Sequence, residues 1–164
     1  MSKNKIPQIT YRRKREQKTD YKKRLALLKS KTPRIVIRKF NKNLVAQIVA
    51  YSEEGDKVTS FAHSKELEKY GWKNSKTNLP AAYLLGVLLS KKSKTKEAIL
   101  DTGLHTPTKG SRIFAFVKGC VDGGMKVPHS EEALPSAERL SGKHIQGKNF
   151  EKDIKEAKEK IIKG

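Results

Sequence analysis

Positive charge in this chain is concentrated where a folded core can least accommodate it. Residues 1–42 hold sixteen Lys and Arg against two acids, Glu16 and Asp20, a net of +14. Residues 43–164 carry only +6 of the total of +20. Self-repulsion at that density opposes compaction, so the excess reads as a basic arm or patch attached to a near-ordinary globular body. Of the 164 residues, 35% are apolar and 33% charged, enough for one modest core of ordinary domain size. The sequence divides into a basic N-terminal arm with a short helix (1–32), an α/β core (33–128), and an irregular segment with a C-terminal helix (129–164). An excess of this kind makes physical sense beside a dense polyanion, and phosphate backbones are the commonest one.

Local patterns fill in the core. Residues 1–18 lack apolar periodicity and read as extended or disordered without a partner. Asp20 is placed to N-cap a short helix with Tyr21, Leu25 and Leu28 on one apolar face and Lys22, Lys23 and Lys29 opposite. Pro33 ends that segment. Strand-like runs follow at 35–40, 45–51 and 58–62, separated by turn chemistry at 41–43 and 53–56, which predicts an antiparallel meander. Ser64 is placed to cap a helical turn ending near Tyr70, Gly71 and Trp72. Asn78, with Pro80 just inside, opens a helix from 81 to about 92 that is apolar nearly all round and must pack on the sheet.

A strand at 97–101, a polar loop at 102–110 and a helix at 111–121, closed by Gly123 and Gly124, continue a crossover unit. The class is therefore α/β (α+β), with a mixed sheet and packed helices. Residues 128–148 are irregular apart from a helical turn after Pro135. In the tail, Phe150, Ile154, Ala157 and Ile161 form a narrow apolar stripe in a Lys/Glu background. That stripe fits docking on its own domain or binding a partner.

Catalytic chemistry finds little purchase here. Cys120 is the one cysteine and lies among apolar residues, so it reads as a small buried hydrophobe and excludes an internal disulfide framework. His63, His105, His129 and His144 are scattered with no i, i+4 pair and no acid cluster beside them, so neither a metal nor a cofactor is expected. The N-terminus lacks an apolar signal region and no run approaches spanning length, which predicts a soluble intracellular protein. The loop at 102–110 superficially resembles a nucleotide phosphate loop. However, its Lys109, Gly110, Ser111 order lacks the glycine spacing and Gly-Lys-Ser/Thr ending of such loops.

Two constellations suit a nucleic acid instead. The arm has Tyr11, Arg12, Arg13, Lys14 and Arg15, then Lys18, Thr19, Tyr21 and Arg24, continuing into Arg34, Arg38 and Lys42. Guanidinium forks grip phosphate bidentately, and tyrosines add stacking faces. The loop places Gly103 and Gly110 before a helix N-terminus, where free N–H groups at Ser111 and Arg112 favour anions. A nuclear address, a solubilising tail or an ordinary loop are the plain alternatives. An RNA-processing enzyme with a basic substrate arm would need a catalytic group that the sequence does not display. A DNA-binding chromosomal protein would offer a recognition helix rather than an irregular arm.

Several blocks carry a family resemblance: residues 11–30 (YRRKREQKTDYKKRLALLKS), 70–72 (YGW), 79–86 (LPAAYLLG), 100–115 (LDTGLHTPTKGSRIFA), 118–124 (KGCVDGG) and 127–129 (VPH). The chain resembles, over about residues 8–145, the archaeal and eukaryotic ribosomal protein eighteen of the large subunit. The resemblance implies a structural protein of the large ribosomal subunit that binds 5S rRNA and attaches it to the large rRNA in the central protuberance. It also implies contact with the neighbouring 5S-binding ribosomal protein five. RNA contacts are implied at Arg12, Arg13, Arg15, Lys18, Thr19, Tyr21 and Arg24 in the arm. Others are implied at Arg34, Arg38, Asn41 and Lys42 in the core, and at Thr106, Lys109, Ser111 and Arg112 in the loop. The tail beyond about residue 146 is shorter than in many relatives of this kind.

Overall fold

The most apolar helix organises the molecule. In the computed structural model, which describes residues 9–145 and 150–163, α3 (Leu79–Lys92) is buried continuously from Leu79 to Ser90. Asn78 caps it, its Oδ1 accepting from the Ala81 N–H at 2.9 Å, and Pro80 sits in its first turn. One side of α3 faces the sheet and another faces α4 (Arg112–Asp122). The two helices touch backbone to backbone: a Cβ on Gly86 would lie 2.2 Å from the Phe116 carbonyl oxygen, and one on Gly119 would lie 2.0 Å from that of Tyr83.

The sheet is built from β1 (Arg34–Lys39), β2 (Leu44–Ala50), β3 (Lys57–His63) and β4 (Ile99–Asp101), in the order β3-β2-β1-β4. β1, β2 and β3 form the antiparallel meander, while β4 lies parallel to β1 after the excursion through α3. Strand alternation sends Ile35, Ile37, Leu44, Ala46, Ile48 and Ala62 to the helix side, where they are fully buried. The opposite face of the sheet has no core-forming helix on it among the described residues. It is partly covered by the arm, which consists of α1 (Arg12–Arg15) and α2 (Tyr21–Lys29).

The last helices complete one core. A 3-10 helix (Ser64–Tyr70) ends at Gly71 in a left-handed conformation, and Trp72 follows, fully buried. After α5 (Ala137–Leu140), α6 (Glu151–Lys163) docks on α3 and on the 3-10 helix. Phe150 packs at 5.8 Å between ring centres from Trp72, and Ala157 and Ile161 are buried with it. Lys91 closes the end of α6 by donating to the Ile162 carbonyl at 2.7 Å. The apolar stripe of the tail therefore serves its own domain.

Four local expectations need correction. Residues 12–15 are a helical turn rather than extended, closed by Gln17 at φ 50°; residues 1–8 lie outside the described residues. The face of α2 read as apolar is not buried, since Tyr21 is 37% and Leu25 59% exposed. A capping Asp20, whose carboxylate accepts from the Lys23 N–H at 3.0 Å, holds the helix without a core face. Ser64 does not cap the helical turn: its Oγ accepts from the Leu44 N–H, while the His63 ring nitrogen takes the Lys65 N–H. The fourth strand begins at Ile99, because Glu97 makes only an isolated bridge to Lys126.

Candidate nucleic-acid interface

The same alternation that buries one sheet face presents Arg34, Val36 and Arg38 of β1, Val45, Gln47 and Val49 of β2, and Asp101 of β4 on the other. Two carboxylates organise the cations there. Arg34 is 2% exposed and its guanidinium donates to Asp101 at 3.0 Å and to Asp56, in the β2–β3 turn, at 2.7 Å. Arg24 of α2 donates to the same Asp56 oxygen at 2.8 Å. Burial alone pushes the Asp56 carboxyl up, but the hydrogen bonds and charges of Arg24 and Arg34 outweigh it and hold it below the usual value. Asp101 also accepts from the Gly103 N–H at 2.8 Å, and the Arg38 guanidinium donates to the Ile37 and Asp101 carbonyls at 2.8 and 3.2 Å.

These contacts tie the arm to the core. Lys23 donates to the Thr102 hydroxyl at 2.7 Å and to the Gly103 carbonyl at 3.1 Å, so α2 is pinned at Lys23 and at Arg24. Gly103 adopts φ 59°, a left-handed conformation that favours glycine, and the Arg38 guanidinium lies close over it. Between arm and sheet lies a cavity of about 300 Å³, lined by Arg13, Lys18, Lys23, Arg24, Arg34 and Arg38, by the carboxylates Asp20, Asp56 and Asp101, and by Val36, Gln47 and Val49 of the sheet. A phosphate oxygen there would meet cations from two directions.

The rest of the arm is open. Arg13 donates to the Thr19 hydroxyl at 2.9 Å, the Arg12 and Lys18 side chains pair with Glu16, and the Tyr11 and Tyr21 rings lie 5.3 Å apart. Arg15 is exposed and makes no side-chain bond among the described residues. Asn41 and Lys42 are exposed in the β1–β2 turn.

The loop before α4 forms the other end of the face. Burial lowers the His105 pKa, and the positive charges of Lys39, Arg38 and Arg112 lower it further, so these cations share one field. Thr106 is exposed, Lys109 pairs with Glu132 at 2.9 Å, and Arg112 donates to the Thr77 carbonyl at 3.0 Å. The expected free N–H at Ser111 is taken by the Thr108 carbonyl at 3.2 Å, and its Oγ is buried without a partner. Arg34, expected as an RNA contact, is instead the buried ion-pair centre of the face. Sequence reasoning missed the roles of Lys23, Lys39, Asp56 and Asp101, because these residues meet Arg34, Gly103 and His105 only in the folded chain.

Among the described residues no three His, Cys, Asp or Glu side chains are grouped to hold a metal, and no helix is long and apolar enough to cross a membrane. Fold and face together define an α/β protein with a basic arm laid beside one half-open sheet surface. Residues 5–98 and 90–130 match the family described as ribosomal large subunit proteins 60S L5, and 50S L18. The chain is also 53% identical over 140 residues to the large ribosomal subunit protein uL18 of Korarchaeum cryptofilum (strain OPF8), covering 84% of this chain and 72% of that one. The chain belongs to this family of ribosomal proteins and is a structural constituent of the large ribosomal subunit. Members of the family are structural proteins, not enzymes, which sets aside the RNA-processing alternative.

Proposed function

We propose that the protein binds 5S rRNA through the arm and the adjoining sheet face and attaches it to the large-subunit rRNA in the central protuberance, beside the 5S-binding ribosomal protein five. The observation that carries this reading is the pinned arm: Lys23 and Arg24 hold α2 on the sheet, so the arm's cations project from one ordered surface. Arg12, Arg13, Arg15, Lys18, Thr19, Tyr21 and Arg24 then face the RNA backbone. Arg38, Asn41 and Lys42 at the end of β1, with Thr106, Lys109 and Arg112 in the loop, extend the contact, whereas Ser111, its N–H taken and its hydroxyl buried, is not among them. Recognition of this kind reads backbone shape and unpaired segments rather than a duplex groove. Fractionating native ribosomal particles and cross-linking protein to RNA tests it. The chain is expected with the large subunit, cross-linked to 5S rRNA through its arm; recovery with free DNA alone would contradict the assignment.

A further inference from the structure

The outer strand of the sheet carries an aromatic side chain that neither the core nor the cation network uses. Phe61 points away from the helices, between inward Ser60 and Ala62, and is 45% exposed. Directly across the ladder it faces Gln47, which in turn faces Val36 on β1. His63, two residues along on the same face, has its ring 6.4 Å from that of Phe61. The Gln47 amide is half-buried and makes no hydrogen bond among the described residues. It also floors the cavity walled by Arg13, Lys18 and Arg38. A stacking face, a free amide and a cation-lined hollow thus lie on one continuous strip, with neighbouring strands about 4.8 Å apart.

We propose that Phe61 and Gln47 form a subsite for one unstacked base of the bound RNA. The base lies on the Phe61 ring, Gln47 meets its hydrogen-bonding edge, and the adjoining phosphate enters the cation-walled cavity beneath the arm. An aromatic ring accepts any base through its π face, and an amide supplies both donor and acceptor. Charge complementarity selects RNA as the occupant: the cavity is lined by Arg13, Lys18, Lys23, Arg24, Arg34 and Arg38 against Asp20, Asp56 and Asp101, an excess of positive charge. A peptide strand added to the edge of β3 fits less well, because Lys92 already donates to the outward Phe61 carbonyl at 3.4 Å. The inference rests on the RNA-binding reading above and goes beyond its backbone contacts.

The test uses the full-length protein and 5S rRNA transcribed in vitro, titrated at several salt concentrations, with circular dichroism to verify folding. Phe61→Ala and Phe61→Leu are expected to weaken binding about 10-fold to 100-fold while leaving the salt dependence unchanged, since no phosphate contact is lost. Phe61→Trp is expected to retain affinity, and base-specific chemical probing is expected to show one unpaired base losing protection in Phe61→Ala. If Phe61→Ala and Phe61→Leu bind like wild type while Arg13→Ala binds weakly, the subsite is overturned and the RNA reading stands. If the wild-type protein binds no 5S rRNA, both fall. A wild-type dimer that Phe61→Ala converts to monomer would make this face a protein interface and overturn the subsite.

Discussion

At the scale of single residues, Arg34 is the centre of the account. A guanidinium taken out of water is tolerated only because Asp101 and Asp56 meet it, and removing one partner of a buried pair leaves an uncompensated charge. Asp101→Ala is expected to lower the unfolding free energy by about 3–5 kcal/mol in urea titration. Asp56→Ala is expected to cost less, because Asp56 is more open to solvent and its charge is better screened. The lowered Asp56 pKa gives the pH dependence a definite sign. Its contribution is fully present above the ordinary carboxylate value of 3.8 and is lost as pH falls through the lower folded value. His105 acts from the other direction. Its folded pKa lies below 6.5, so the unfolded chain binds more protons in that window and stability falls as pH drops below 6.5. An NMR titration is expected to find His105 below the free-histidine value in the protein alone and raised in the RNA complex, where phosphates offset Lys39, Arg38 and Arg112. An unchanged value in the complex would place the RNA elsewhere. The sequence displayed Arg34 and Arg38 as cations but gave no means of telling a buried arginine from an exposed one. That distinction depends on Asp56 and Asp101, which lie 22 and 67 positions away from Arg34 in the chain.

At the scale of elements, the crossing of α3 and α4 decides the packing. Alanine in place of a mid-helix glycine normally gains about 1 kcal/mol in helix propensity, whereas overpacking costs about 1–3 kcal/mol. At Gly86 the obstacle is a backbone oxygen 2.2 Å away, which no rotamer change can relieve, so overpacking wins. Gly86→Ala is expected to destabilise by about 1–3 kcal/mol, measured by denaturant unfolding, and a neutral result would contradict the close crossing. Ile161→Ala is expected to cost about 2–5 kcal/mol, since Ile161 is buried with Ala157 where α6 meets the core. The helix and strand order was legible because α3 is apolar all round, Asn78 and Pro80 mark its start, and the β-branched runs alternate cleanly. The partner of the tail was not legible, because the Phe150–Ile161 spacing specifies a face and says nothing about what covers it. The α2 stripe shows the converse error: Tyr21 and Leu25 have helical spacing, yet the helix is held by polar contacts from Asp20, Lys23 and Arg24 instead.

At the scale of the whole molecule, uneven charge becomes uneven architecture. The core keeps its apolar residues between one sheet face and the helices, and the basic arm is laid over the opposite face. The arm's concentration of positive charge was legible from its density of arginine. Its attachment was not, because Lys23 reaches Thr102 and Gly103 only after β4 has joined the sheet. The central claim is that this arm neutralises RNA phosphates from a surface already in place before binding. The most direct measurement is the affinity of full-length protein for 5S rRNA as a function of salt, with wild type compared to a variant in which Arg12, Arg13 and Arg15 are alanine. Each lost phosphate contact makes the log–log slope shallower by about 0.7–0.9. The triple variant is expected to fold normally, bind more weakly and show a slope shallower by about two to three. Equal affinity and equal slope for the two proteins would contradict the claim.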